Sequence, residues 1–518
     1  ENVLIVSYKD GYKQDIIDLI KSLDANATER VKDLKIGELN VISFKISRDY
    51  NMMRQEIISR LKADKDLREK IIYVEPSYKR YLIEPVKNDE WKDSDLLTKQ
   101  AYADQQEEFF EKYLWGIRKV KAPEAWQMGY TGEGVIVAVV DTGVDGTHPD
   151  LQGQLVEGYR PLTDETLPPA SDSSFGGSHG THVAGTIAAK DNDIGVVGVA
   201  PNAKIMPIVI FDTGDPEPGG DGSYIGDDLV AQGLLWAAEN GAKVFSNSWG
   251  GKGYSITLAY FISYVMEFYG GIFVASAGNS HTDEIHYPSC YPGVINVAAS
   301  TAIDGITHFS TRGRWITVAA PGDYTILSTV PLWDDEEFFD GENPYALYGG
   351  TSMATPHVSG VIALLLEKLG EEEYTPYQIR KHIAATADDI MAPGFDHDSG
   401  WGRVNAQEAL TQNLPSDEGA TVYFQFYCQF GDEYDYAPEV YVTLYPQDST
   451  VPVYYGKSNE YGFLPLVSIE PGTYDVYMAF GDAWYLDMPV SMQVPHYMNI
   501  NIVNGLNYYS HVFEFPGT

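Results

Sequence analysis

Gly350-Thr-Ser-Met-Ala-Thr-Pro-His-Val-Ser-Gly360 places Ser352 just after a glycine pair, at the head of a run continuing through Val361-Ile-Ala-Leu-Leu-Leu366 that reads as a buried helix. A hydroxyl at the mouth of a buried helix is a candidate nucleophile. It is a poor one at neutral pH unless the chain also supplies a base and an acid to orient that base. Two further stretches offer them. His179 lies in Ser178-His-Gly-Thr-His-Val-Ala-Gly-Thr186, and Asp141 closes the apolar run Val135-Ile-Val-Ala-Val-Val140, followed by Thr142-Gly143. The order Asp, His, Ser is one of three in which this constellation recurs on unrelated folds.

Each residue alone has a plainer reading. An Asp after a strand is often a turn residue, a lone His is often structural, and a Ser before a helix is usually an N-cap. With their long contexts taken together, the three stretches resemble the subtilisin-like serine proteases. The resemblance covers residues 111 to 410 and implies an α/β fold, a parallel sheet wrapped by helices. The chain agrees with that layout. Apolar strands alternate with helical stretches at Lys204 to Ile210, Leu229 to Glu239, Lys243 to Ser246, Phe261 to Phe268 and Gly271 to Ser276.

The resemblance also assigns roles. Asp141, His179 and Ser352 would form the catalytic triad, with Asn279 of Val274-Ala-Ser-Ala-Gly-Asn279 and the backbone N–H of Ser352 receiving the oxyanion. Ser248-Trp249-Gly250-Gly251 would flank the S1 pocket, and Gly222-Ser-Tyr224 would form the opposite edge of the substrate channel. His286 stands where the family often has a small residue, which argues against a roomy S1 pocket that prefers aromatic side chains. His182 and His357 are expected to pack or hydrogen-bond. Calcium is the implied cofactor, held by Asp150, the side chain of Asn192, the carbonyls of Lys190, Ile194 and Val196, and Glu111. The acidic loop Asp212 to Asp221 is a candidate for a second calcium, and the insertion Trp333 to Glu342 for a lid or rim.

The flanks have their own character. Residues 1–84 alternate short β-like runs (Val3 to Val6, Asn40 to Ile46, Ile71 to Val74) with helical patterns at Gln14 to Leu23 and Met52 to Leu67, an open α+β unit. By the resemblance it is a propeptide that assists folding and acts as an intramolecular inhibitor through its C-terminal tail. Residues 85–113 lose periodicity and fill with Lys, Asp, Glu and Gln, as a cleavable connector would, so the maturation cut is expected between Leu82 and Glu111. A catalytic unit at 114–412 follows. After Pro415-Ser-Asp-Glu-Gly419, residues 416–518 show Tyr and Phe alternating with polar residues in short runs, an all-β sandwich similar to those appended to many secreted enzymes.

Composition narrows the partners. Thirty-five Lys and Arg against 74 Asp and Glu give a formal charge of −39, which disfavours nucleic acid and anionic membranes. Two cysteines, Cys290 and Cys428, exclude a small disulfide-stapled scaffold; they either pair with each other or are two buried thiols, the thiols being the favoured expectation. No apolar run approaches the ~20 residues of a membrane span, and the start carries no signal-like segment, so any export signal is expected to be gone from this numbering. The expectation is a secreted, monomeric, self-processing serine endopeptidase acting on proteins and peptides. The competing class is a binding protein that keeps the scaffold. Such a protein has no physical need for Asp141, His179, Asn279 and Ser352 together.

Overall fold

The structure is a computed structural model that describes residues 3–83, 113–334, 344–480 and 496–515, apart from isolated positions within those runs. Its centre is an eight-stranded sheet. In spatial order the strands are Val318–Pro321, Ile295–Ser300, Ile272–Ser276, Val244–Asn247, Ile136–Asp141, Lys204–Val209, Gly158–Arg160 and Glu165–Leu167. All pair in parallel except the last, which returns antiparallel on Gly158–Arg160. The inner strands are Val, Ile and Ala on both faces, as a sheet covered on two sides requires.

One face packs on the helices α3 (His179–Ala188) and α6 (Thr351–Leu369), the other on α4 (Asp227–Glu239) and α5 (Ile256–Tyr269). Asp141 ends the strand at the centre of the sheet. That carboxyl end is where side chains from separate crossovers converge in open α/β folds. The sheet expected from the alternation of patterns is present, and the strand and helix bounds fall within a few residues of the expected ones.

The N-terminal unit is a five-stranded antiparallel sheet ordered Thr28–Glu29, Leu39–Lys45, Val3–Tyr8, Ile71–Pro76, with Leu34–Ile36 also paired to Leu39–Lys45. Its helices are α1 (Lys13–Leu23) and α2 (Tyr50–Ala63). The pattern from Met52 to Leu67 read as one helix. The chain instead breaks at Asp64, which caps α2 and accepts the Leu67 N–H at 3.1 Å, restarting a short turn at Lys65–Arg68. The face of the sheet opposite α1 and α2 contributes Val3, Ile5, Val41 and Tyr73 to a core shared with α4 and α5.

Polar contacts fix this docking. Glu75 accepts hydrogen bonds from Ser255 Oγ (3.0 Å) and from the Ile256 and Thr257 N–H groups (both 2.8 Å), capping α5 from another unit. Ser43 Oγ donates to Asp228 Oδ2 at 2.5 Å, and Tyr73 Oη lies 2.9 Å from Thr257 Oγ1.

Beyond residue 415 the chain forms two facing sheets. One holds Ala420–Phe430 with Phe463–Ile469, Glu433–Tyr436 and, in parallel, Gly505–Phe515. The other holds Tyr454–Lys457, Val440–Pro446, Gly472–Phe480 and His496–Ile502, all antiparallel. Alternate residues such as Val422, Phe424, Phe426 and Cys428 point into a core between them. Both cysteines are free thiols, Cys428 in that core and Cys290 beside Ser289 and Asn296. Among the described residues no helix is long and apolar enough to cross a membrane.

Candidate active site

Three elements carry the predicted residues: the strand Ile136–Asp141, α3 and α6. Asp141 is fully buried at its strand end, where Oδ1 accepts the Thr142 N–H at 2.8 Å. His179 opens α3, and its Nδ1 lies 2.9 and 3.0 Å from the two Asp141 oxygens. Thr142 Oγ1 accepts the Gly180 N–H at 2.8 Å, locking the start of α3 to the same strand end. His179 Nε2 is buried with no hydrogen-bond partner among the described residues. With Nδ1 tied to a carboxylate, Nε2 is the nitrogen left to accept a proton.

Ser352 is the second residue of α6. Its N–H falls in the first turn of the helix, where backbone donors have no intrahelical acceptor. Pro356, one turn later, has no N–H for the Ser352 carbonyl, which instead accepts Ser248 Oγ at 2.9 Å. Asn279 is fixed by Thr351, whose N–H and Oγ1 both donate to Asn279 Oδ1 at 3.0 Å. Its Nδ2 stands 3.0 Å from where a Cβ on Gly350 would be, and Gly350 has φ +147°, so only glycine fits there.

The Ser352 hydroxyl does not face solvent. It donates to the Ile83 carbonyl at 2.8 Å and to the Ser248 carbonyl at 3.2 Å. Tyr81–Leu82 pairs antiparallel with Trp249–Gly250, Leu82 opposite Trp249 and Tyr81 opposite Gly250, and the Ile83 N–H reaches the Ser248 carbonyl at 3.4 Å. The tail of the N-terminal unit is thus an added strand in the cleft, ending with a peptide carbonyl on the candidate nucleophile.

The other predicted residues fall as follows. Gly250, His286 and Asn279 line a groove beside Ile83, and a Cβ on Gly250 would meet Ile83 Cδ1 at 3.8 Å. Burial pushes the His286 imidazole below its usual pKa. Trp249 is fully buried in the core beneath the tail. Gly222 is needed for packing, since a Cβ there would lie 2.5 Å from Gly176 Cα. Tyr224 pairs with Phe211 on a separate hairpin, its ring sits 6.0 Å from that of Trp249, and its hydroxyl donates to Asp227 at 2.6 Å. His182 is stacked on Tyr348 with its Nε2 near two carbonyls, and burial pushes its pKa down to about 3. His357 is held by the Met353 carbonyl at 2.8 Å.

Around Asp150 the donors are oxygen-rich. Asp150 is fully buried, and burial pushes its carboxyl up to about 6. Asn192 Oδ1 faces the Lys190 and Ile194 carbonyls at 3.3 and 3.2 Å, three oxygens converging where a hard cation would satisfy them. Among the described residues no group of three or more His, Cys, Asp or Glu could hold a metal, so the set rests on one carboxylate and neutral oxygens. Glu111 lies outside the described residues, as do the connector and most of the 333–342 insertion. The loop at 212–221 loses its first candidate ligand. Asp212 is bound side-on by Arg160 at 2.7 and 2.8 Å, contrary to the second-calcium expectation.

Two features were missed from sequence. The strand at Tyr81–Leu82 has a weak signal in the apolar run Tyr81-Leu82-Ile83. The pairing of Arg80 with Asp227 has none.

A buried carboxylate–imidazole pair with Nε2 left to take a proton, and a serine hydroxyl set on a peptide carbonyl, are the parts that hydrolysis by acyl transfer requires. Residues 132–402 match the subtilase family of peptidases. Fervidolysin of Fervidobacterium pennivorans is 40% identical over 500 residues, covering 93% of this chain and 68% of its own. Thermitase of Thermoactinomyces vulgaris is 37% identical over 305 residues, 58% of this chain and 97% of its own. The crystal structure of fervidolysin, described as a keratinolytic enzyme related to subtilisin, superposes with TM-score 0.80 at 38% identity, over 99% of this chain and 78% of that one. The chain belongs to the subtilase family and is a serine endopeptidase.

Proposed function

We propose that the chain is the self-inhibited proform of a secreted, calcium-stabilised endopeptidase that cuts itself after Ile83. Ser352 attacks the Ile83 carbonyl while His179 takes its proton through Nε2 and returns it to the leaving amine. Asp141 holds the imidazole tautomer and stabilises the imidazolium. Asn279 and the Ser352 N–H receive the negative charge on oxygen. Water then releases the acyl group and the N-terminal unit. The observation that carries this reading is the hydrogen bond from Ser352 to the Ile83 carbonyl.

Asn279→Ala is expected to lower kcat by about 10²- to 10³-fold with a much smaller change in KM, because the donor acts on charge that develops only in the transition state. Steady-state hydrolysis of a peptide substrate measures it. An unchanged kcat would remove Asn279 from the oxyanion site.

Calcium would be held by Asp150, Asn192 and the carbonyls of Lys190, Ile194 and Val196, with Glu111 joining from the connector. Bound there, it ties the loop after α3 to Asp150. At a hundredfold excess over Kd it adds roughly 3 kcal/mol to stability, so EDTA is expected to lower Tm by several degrees. In Asp150→Ala that response should vanish. A Tm of wild type indifferent to EDTA would exclude the site.

A further inference from the structure

Arg80 is 2% exposed and Asp227 fully buried, and neither takes part in the chemistry at Ser352. Arg80 Nε donates to Asp227 Oδ1 at 3.0 Å and Nη2 to Oδ2 at 3.3 Å. Nη1 donates to the carbonyls of Gly253 at 2.7 Å and Gly251 at 3.3 Å. Tyr224 Oη donates to Asp227 Oδ1 at 2.6 Å, so the Tyr of the expected channel edge acts by aiming this carboxylate. Burial opposes the charge on Arg80, but the carboxylate outweighs it and holds the guanidinium pKa above its usual range.

The tail's register gives this pair a meaning. Ile83 presents the carbonyl at Ser352, Leu82 stands opposite Trp249, Tyr81 opposite Gly250, and Arg80 comes three residues before Ile83. Ile83 and Arg80 are buried in the catalytic unit, while Tyr81 between them is 62% exposed. The tail is held as a peptide substrate would be, by its residue at the bond and by the one three places earlier.

Asp227, Tyr224, Gly251 and Gly253 all belong to the catalytic unit. Once the tail leaves, Asp227 also loses the Tyr78 N–H that donates to Oδ2 at 2.9 Å. The carboxylate is then left without its cation at the floor of a seat shaped for a guanidinium, open to a cation from the next peptide.

Resting on the reading of Ser352 as nucleophile, we propose that Asp227 is a specificity-determining residue that selects protein substrates with arginine three positions before the residue whose carbonyl is attacked. Lysine fits less well, because a single ammonium cannot span Asp227 and both carbonyls as the planar fork does. The alternative is that the pair serves only to dock the N-terminal unit.

The test uses processed wild-type enzyme and two internally quenched peptides built on Arg-Tyr-Leu-Ile, one with the arginine replaced by citrulline, which keeps the shape and removes the charge. The arginine peptide is expected to be cleaved after Ile with kcat/KM about tenfold or more above the citrulline peptide. In Asp227→Asn the ratio should fall to within about threefold. Equal rates for the two peptides with wild type overturn the proposal and leave the peptidase reading standing. A ratio that survives in Asp227→Asn shows that another group reads the charge and also overturns it. Cleavage of neither peptide by enzyme that still digests casein overturns the proposal alone, and loss of casein digestion as well overturns the reading of Ser352. Should Asp227→Asn fail to mature, the wild-type ratio still decides between substrate selection and docking alone.

Discussion

Ser352→Ala is expected to leave a full-length chain with no detectable hydrolysis of protein substrates, roughly a millionfold below wild type. Losses of that size follow when nucleophile, base and acid act as a unit, so removing one forfeits what the others contribute. The fold should survive. Among the described residues Ser352 Oγ makes hydrogen bonds only to the Ile83 and Ser248 carbonyls, and the neighbouring Ser248 Oγ to Ser352 carbonyl bond does not involve the side chain that is lost. The N-terminal unit should therefore stay docked and covalently attached. Circular dichroism and intact mass check both halves, and residual activity above about a thousandth of wild type would mean that another group performs the attack.

Glu75→Ala is expected to loosen the N-terminal unit rather than the catalytic one. The carboxylate receives Ser255 Oγ and the N–H groups of Ile256 and Thr257 inside a fully buried contact, so its removal strands donors that water cannot reach. Burial of unsatisfied groups on this scale costs about 3 kcal/mol, roughly a hundredfold in the docking equilibrium. The lag between processing and full activity should shorten accordingly, with kcat of the mature enzyme unchanged. Glu75→Gln keeps an acceptor and should fall between the two. A lag identical to wild type would show that the apolar face formed by Val3, Ile5, Val41 and Tyr73 carries the docking alone.

The site's chemistry was legible because each participant sits in a local pattern that dictates its own backbone. An apolar run made Asp141 a strand end, the glycine pair before Ser352 opened a buried helix, and His179 was marked by the resemblance of its stretch, the helix it heads being seen only in the structure. What the sequence did not reveal depends on partners far along the chain. Tyr81–Leu82 is a strand only because Trp249–Gly250 lies beside it, and no local period marks two residues. Nothing local to Arg80 marks its partner, since Asp227 lies 147 positions later. Asp212 read as a calcium ligand for the same reason in reverse, since its cation, Arg160, lies 52 residues away. Gly222 read as a substrate contact, and the close approach of Gly176, 46 positions earlier, is a second reason for glycine there that no local pattern carries.

Ser352 stands on the Ile83 carbonyl, so the first cut should fall after Ile83. Incubating the wild-type and Ser352→Ala chains side by side with calcium, then reading intact masses and the new N-terminus, tests it directly. The expected result is a wild-type fragment of 83 residues ending at Ile83, a large fragment beginning at Glu84, and an uncut Ser352→Ala chain. A first cut elsewhere, or the same cut in both chains, would contradict it.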